Sequence, residues 1–139
     1  DGVAVGREPA TMAALTSPTW VAATVLNALR AVDEPDENAG VDVALAFVSD
    51  DNPSASLTRD IFRSYLDDDA YPYGILTRWS DMTPESVSFD DDLAPATATV
   101  DVVLRDDDDH DRAPWTVTIE MSKSQDRGWL IDQVWCHDY

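Results

Sequence analysis

The chain has 139 residues, with 28 Asp and Glu against nine Lys and Arg, for a formal net charge of −19. That length suits a single domain with a real core, and the charge excludes the basic footprint that nucleic-acid binding requires. No apolar run approaches the ~20 residues of a membrane-spanning helix, so neither nucleic acid nor a membrane is an expected partner.

Residues 1–16 contain Gly and Pro and no clear period, and they read as a flexible N-terminal arm. The remainder, 17–139, reads as one domain. Ser17-Pro18 is a helix-start signal: a side-chain cap followed by Pro in the first turn. Val21, Val25, Leu26, Leu29 and Val32 then recur at helical spacing, predicting a helix from about residue 18 to about 32. Asp33-Glu34-Pro35-Asp36 ends it, because Pro cannot continue the hydrogen-bond ladder. Val41, Ala44, Leu45 and Val48 predict a second, short helix ending near Ser49. Asp50 to Ser54 is a loop. Leu57, Ile61, Phe62, Tyr65 and Leu66 mark a third helix that runs into Asp67-Asp68-Asp69.

Tyr71-Pro72-Tyr73-Gly74 reads as a turn, Ile75 to Trp79 as a short strand or extended connection, and Thr83-Pro84 as another turn. Val87-Ser88-Phe89 is a candidate strand. Ala96 to Arg105 alternates cleanly, with Ala98, Val100, Val102 and Leu104 on one face. Asp106 to Arg112 is a charged loop. Trp115, Val117, Ile119 and Met121 form the apolar face of the next strand. After a turn at Ser124–Arg127, Gly128 to Trp135 carries apolar residues on both faces, as in a central strand covered on both sides. Helices first and an antiparallel meander afterwards make an α+β layout, with the helices packed on the sheet.

The last strand admits two parities, because a one-residue slip reverses every side chain. One sets Trp129, Ile131 and Trp135 beside Met121, Ile119 and Trp115, with Asp132 on the other face. The other buries Asp132 near Ile119 and Val117, which is costly for an unpaired carboxylate. The first is preferred on polarity. It makes Gln133 the lone polar residue of the inner face and leaves a Leu130–Val134–Cys136 row on the opposite face. That row predicts a homodimer through the sheet face.

Several segments, taken in order, resemble the nuclear transport factor two-like (cystatin-like) superfamily of α+β cones. They are Val25-Leu26-Asn27-Ala28-Leu29-Arg30, then Asp33-Glu34-Pro35 with Ala44-Leu45-Ala46-Phe47-Val48-Ser49. Phe62 with Tyr71-Pro72, and Pro114-Trp115 with Trp129, complete the set. The resemblance covers roughly 17–136 and points to a branch that carries no assigned reaction. It implies a curved sheet wrapping the first helix, with a pocket between them. Members of the superfamily include isomerases, dehydratases, cyclases and non-catalytic binding or dimerisation modules. The acids, mostly Asp with a single lysine at Lys123, are dispersed between apolar-periodic segments. That surface resembles the proteins of extreme halophiles.

Candidate chemistry is sparse. Cys136-His137-Asp138 invites a nucleophile reading, but neighbours on a strand point to opposite faces, so it reads as a strand end. Asp106 to Asp111 lacks the Gly turn and distant Glu of a calcium loop and reads as solvated hairpin. Asp90-Asp91-Asp92 reads as surface. No catalytic residue, metal site or cofactor is assigned. Tyr71, Trp79, Trp115, Gln133 and Trp135 are the candidate ligand-binding residues, with Tyr71 and Trp79 on connections that can reach a pocket mouth. The expected function is a non-catalytic module that binds a small apolar ligand or dimerises. The alternative is a lyase or isomerase acting on an apolar metabolite. One cysteine forms no intramolecular disulfide, which suits the cytoplasm. No signal-peptide pattern is visible, and a start at Asp1 leaves a trimmed leader open.

Overall fold

The computed structural model describes residues 17–68, 72–90, 96–106, 114–124 and 127–138. The arm at 1–16, Tyr71, Asp91 and Asp92, the acidic loop from residue 107 to 113 and the turn residues Gln125 and Asp126 lie outside the described residues. The architecture is α+β. Helices α1 (Pro18–Arg30), α2 (Ala39–Ala46), α3 (Arg59–Asp67) and α4 (Ile75–Arg78) precede strands β1 (Asp81–Asp90), β2 (Thr97–Arg105), β3 (Trp115–Ser124) and β4 (Gly128–Asp138). Short 3₁₀ turns at Pro53–Ser56 and Pro72–Gly74 connect the helices. No helix among the described residues is long and apolar enough to cross a membrane.

The first helix forms where its cap and stripe predict. Ser17 Oγ accepts from the Trp20 N–H at 3.1 Å, and Pro18 occupies the first turn. Its buried stripe, Val21, Ala22, Val25, Leu26 and Leu29, packs on β2 and β4. Leu26, Leu104 and Ile119 are almost fully buried, each worth roughly 1.5–3 kcal/mol relative to exposure. α2 crosses α1 very closely. A Cβ at Gly40 would sit 2.1 Å from the Ala28 carbonyl oxygen, so only glycine fits there.

The strands form an antiparallel sheet in the order β1-β2-β3-β4. Val100 pairs with Ile119 and Val102 with Val117, so the β2–β3 hairpin sets apolar beside apolar as its alternation predicts. Other elements differ from the sequence reading. Ile75 to Arg78 is a helix, not an extended connection; so short an apolar run carries no period of its own. Thr83-Pro84 is not a turn. It lies inside β1, next to a register shift between Pro84 and Ser86, and β1 is an edge strand where Pro is tolerated. β4 is likewise an edge strand, not a central one.

β4 does not keep one parity. Met121 pairs with Ile131, but Ile119 pairs with Val134, so Asp132 is an extra residue at a bulge. Trp129 and Ile131 face the core before the bulge, and Val134 and Cys136 face it afterwards. Gln133 therefore pairs with Glu120 and is exposed, contrary to its expected place on the inner face. The expected Leu130–Val134–Cys136 row does not exist, because the bulge turns Val134 and Cys136 inward. The homodimer expected through that row therefore loses its apolar contact surface.

The bulge is anchored. Asp132 Oδ1 accepts from Ser49 Oγ at 2.5 Å and from Ser122 Oγ at 3.0 Å. On the free edge of β4, Ile131 N–H donates to the Phe47 carbonyl at 2.7 Å and Ser49 N–H donates to the Ile131 carbonyl at 2.9 Å. The segment after α2 is thereby stitched to the sheet at one point, Val48 against Ile131. At the opposite edge β1 is poorly covered. Val87 and Phe89 are exposed although their partners Val100 and Ala98 are buried. β1 and β4 lie three strand spacings apart, about 14 Å, yet the Phe89 and Trp129 ring centroids are 6.1 Å apart. The two rings meet edge to face, with 66° between their planes.

Candidate functional site

A groove of about 490 Å³ lies where the helices meet the edge of β4. That volume is within the range of small-molecule sites. Its lining comes from several elements: Val25 and Leu29 of α1, Phe62, Tyr65 and Leu66 of α3, and Ile131 to Trp135 of β4 without Asp132. Asn52, Ser54, Leu57 and Tyr73, from the connections, and Ala44, Val48, Pro53 and Leu76 add to the walls.

Local structure explains how these side chains are delivered. α3 begins at Thr58, whose Oγ1 accepts from the Ile61 N–H at 3.3 Å. With that start, Phe62, Tyr65 and Leu66 fall on one side of the helix and meet the groove. Arg59 and Arg63 turn elsewhere, Arg59 to Asp42 and Arg63 to Asp33 and Asp67. Asn52 caps the 3₁₀ turn: its Oδ1 accepts from the Ser54 N–H at 2.8 Å, while its Nδ2 donates to the Ile131 carbonyl at 3.2 Å. Asn52 thus holds the Pro53–Ser56 wall against β4 and is committed to that task.

The candidate ligand-binding residues divide. Gln133 and Trp135 line the groove, and both are exposed. Gln133 reaches it from the outward-facing set of β4, because the groove runs along the strand's free edge. Trp79 is 4% exposed and belongs to the core. Its Nε1–H donates to the Leu26 carbonyl at 3.2 Å, and the Arg30 guanidinium lies 4.8 Å from its ring centroid. Those contacts make it a brace for α1, not a mouth residue. Trp115 pairs with Leu104 and packs on the core's margin, away from the groove. Tyr71 is outside the described residues. Sequence reasoning missed Phe62, Tyr65, Tyr73 and Leu57 as lining. The aromatic residues of the third helical stripe were the available signal, but a stripe alone does not distinguish core from groove.

Cys136 and His137 diverge, as strand geometry requires: Cys136 is buried and His137 exposed. Burial pushes the Cys136 thiol up to about 12, so it stays protonated at neutral pH and is a poor nucleophile. Asp132 faces Ser49 and Ser122 rather than the groove, and both serine hydroxyls donate to it. That cluster ties the bulge to the α2 exit. Comparison of the chain with protein-family models, with curated proteins and with solved structures finds no match.

Proposed function

We propose that the chain is a nuclear transport factor two-like cone domain and that it binds a small ligand with an apolar body in the groove, without transforming it. Support for the fold comes from the order of elements, helices followed by an antiparallel meander, and from the ring contact of Phe89 with Trp129 across the sheet. The observation that carries the function is the chemistry of the lining. It offers hydrocarbon, aromatic rings, amides and hydroxyls. Among the described residues that line it there is no carboxylate, imidazole, thiol or amine. A lyase or isomerase needs a positioned proton-transfer group in contact with its substrate, for which the lining offers, among the described residues, only the Tyr65 and Tyr73 phenols, whereas a binding site needs shape and a few neutral polar groups, which the whole lining supplies. Gln133 suits the second role: its amide can donate and accept, but it is not a normal base. The single cysteine and the acidic, Lys-poor surface extend the proposal to a halophilic, cytoplasmic protein.

Nile red, an uncharged apolar dye, tests the site. Saturable fluorescence enhancement is expected, weakened several-fold by Trp135→Ala and changed by Gln133→Leu. Both residues are exposed, so the melting temperature should stay within about 2 °C of the parent. Enhancement that does not saturate, or that ignores both substitutions, contradicts the proposal.

A further inference from the structure

We infer that the groove selects an organic ammonium ion with an apolar body over neutral or anionic molecules of the same shape, an inference that rests on the groove being a ligand site. The rings of Phe62, Tyr65, Tyr73 and Trp135 all line it. Aromatic faces carry negative quadrupole density and attract alkylammonium groups. Among the described residues the lining contains no Lys or Arg, so an anion finds no positively charged partner there. Among those residues it contains no carboxylate either, so a cation is held by ring faces and not by an ion pair.

The surroundings favour the same sign. The chain carries a net charge of −19, which raises the local concentration of cations at low salt. The basic side chains nearest by sequence are already committed. Arg59 and Arg63 flank Phe62 on α3 but pair with Asp42, Asp33 and Asp67, and Arg78 pairs with Asp106. They do not neutralise the groove. The chain uses cation–ring contacts elsewhere: Arg30 lies over Trp79, and Lys123 Nζ is 6.0 Å from the Trp129 ring centroid. A ring-bound ammonium with an apolar body would also bury hydrocarbon against Val25, Leu29 and Leu57, which strongly hydrated metal cations cannot do.

An NMR titration of the full chain with phenyltrimethylammonium, its uncharged isostere tert-butylbenzene, and benzenesulfonate tests this. Each is run in about 0.1 M and about 1 M KCl, where the screening length falls from about 10 Å to about 3 Å. The expected result is binding of the cation about tenfold tighter than the isostere at low salt, with a preference of several-fold surviving at high salt. Benzenesulfonate should bind weakest. Trp135→Leu and, separately, Tyr73→Leu should each reduce the preference, with folding checked by thermal melting. Equal or tighter binding of tert-butylbenzene overturns this inference and leaves the apolar-groove proposal standing. A cation preference that disappears at high salt also overturns it, because the attraction then belongs to the surface charge as a whole. If neither the cation nor the isostere binds, both readings fall.

Discussion

Arg63 ties Asp33, Asn38 and Asp67 together, and through them fixes the connection between α1 and α2. Its Nη1 donates to Asp33 at 2.7 Å and to Asn38 Oδ1 at 3.0 Å, while its Nε lies 3.1 Å from Asp67. Asn38 adopts a left-handed φ of 62°, and its N–H donates to Asp33. The Arg63 hydrogen bond, helped by the Asn38 N–H, holds the Asp33 carboxyl below its ordinary value of 3.8. A carboxyl depressed by folding contributes stability that is fully present above its unfolded pKa and is lost as pH falls through the folded one. Asp33→Asn should therefore lower the melting temperature at pH 7, and the difference from the parent should shrink on acidification below pH 3.8. Acid melting curves check this; a difference that grows on acidification has the wrong sign. Asp33 is a surface group, so solvent screening keeps the effect modest. Residue-scale detail was only partly legible in the sequence. Asp132-Gln133, adjacent polar residues in a strand otherwise apolar on both faces, carried the signal of a bulge. Either uniform parity had to bury one of the two, whereas the bulge lets both apolar sets face inward.

At the scale of elements, the strongest periodicities translated directly. The Ser17-Pro18 start, the α1 stripe and the β2–β3 alternation each depend on local chemistry and one buried face. What local pattern did not reveal was neighbourhood. β4 has apolar residues on both faces because of its bulge, which imitates the composition of a central strand. β1 tolerates Pro84 because, among the described residues, no strand pairs on its outer side, and Pro84, the register shift beside it and Asp81, Glu85 and Asp90 blunt that edge against further pairing. The α1–α2 crossing shows the same dependence on context: Gly40 carries no periodic signal of its own, and its use is close approach to Ala28 and Val32. Its N–H donates to the Val32 carbonyl at 2.8 Å, which holds the two backbones together. Gly40→Ala should destabilise the fold by about 1–3 kcal/mol, an overpacking cost that outweighs alanine's better helix propensity. Urea denaturation measures it; an unchanged or raised midpoint contradicts the crossing.

For the whole molecule, charge and groove decide behaviour. With 28 acids on a chain of 139 residues, self-repulsion opposes the compact state in dilute buffer, and salt screens it. Salting-out effects on apolar surface act in the same direction. The melting temperature should rise from low-salt buffer to concentrated KCl; a scan showing no rise contradicts the halophilic reading. The groove itself was not legible in the sequence. It is assembled from α1, α3, the connections and the free edge of β4, and only the fold brings those distant segments together. The central claim, that this groove is a ligand site, is tested most directly by soaking crystals of the full chain with a fragment set of neutral and ammonium-bearing aromatics. Fragment density is expected between Leu57, Phe62, Tyr73 and Trp135, within reach of the Gln133 amide. Fragments bound only elsewhere on the molecule, with the groove left unoccupied by any of them, would contradict it.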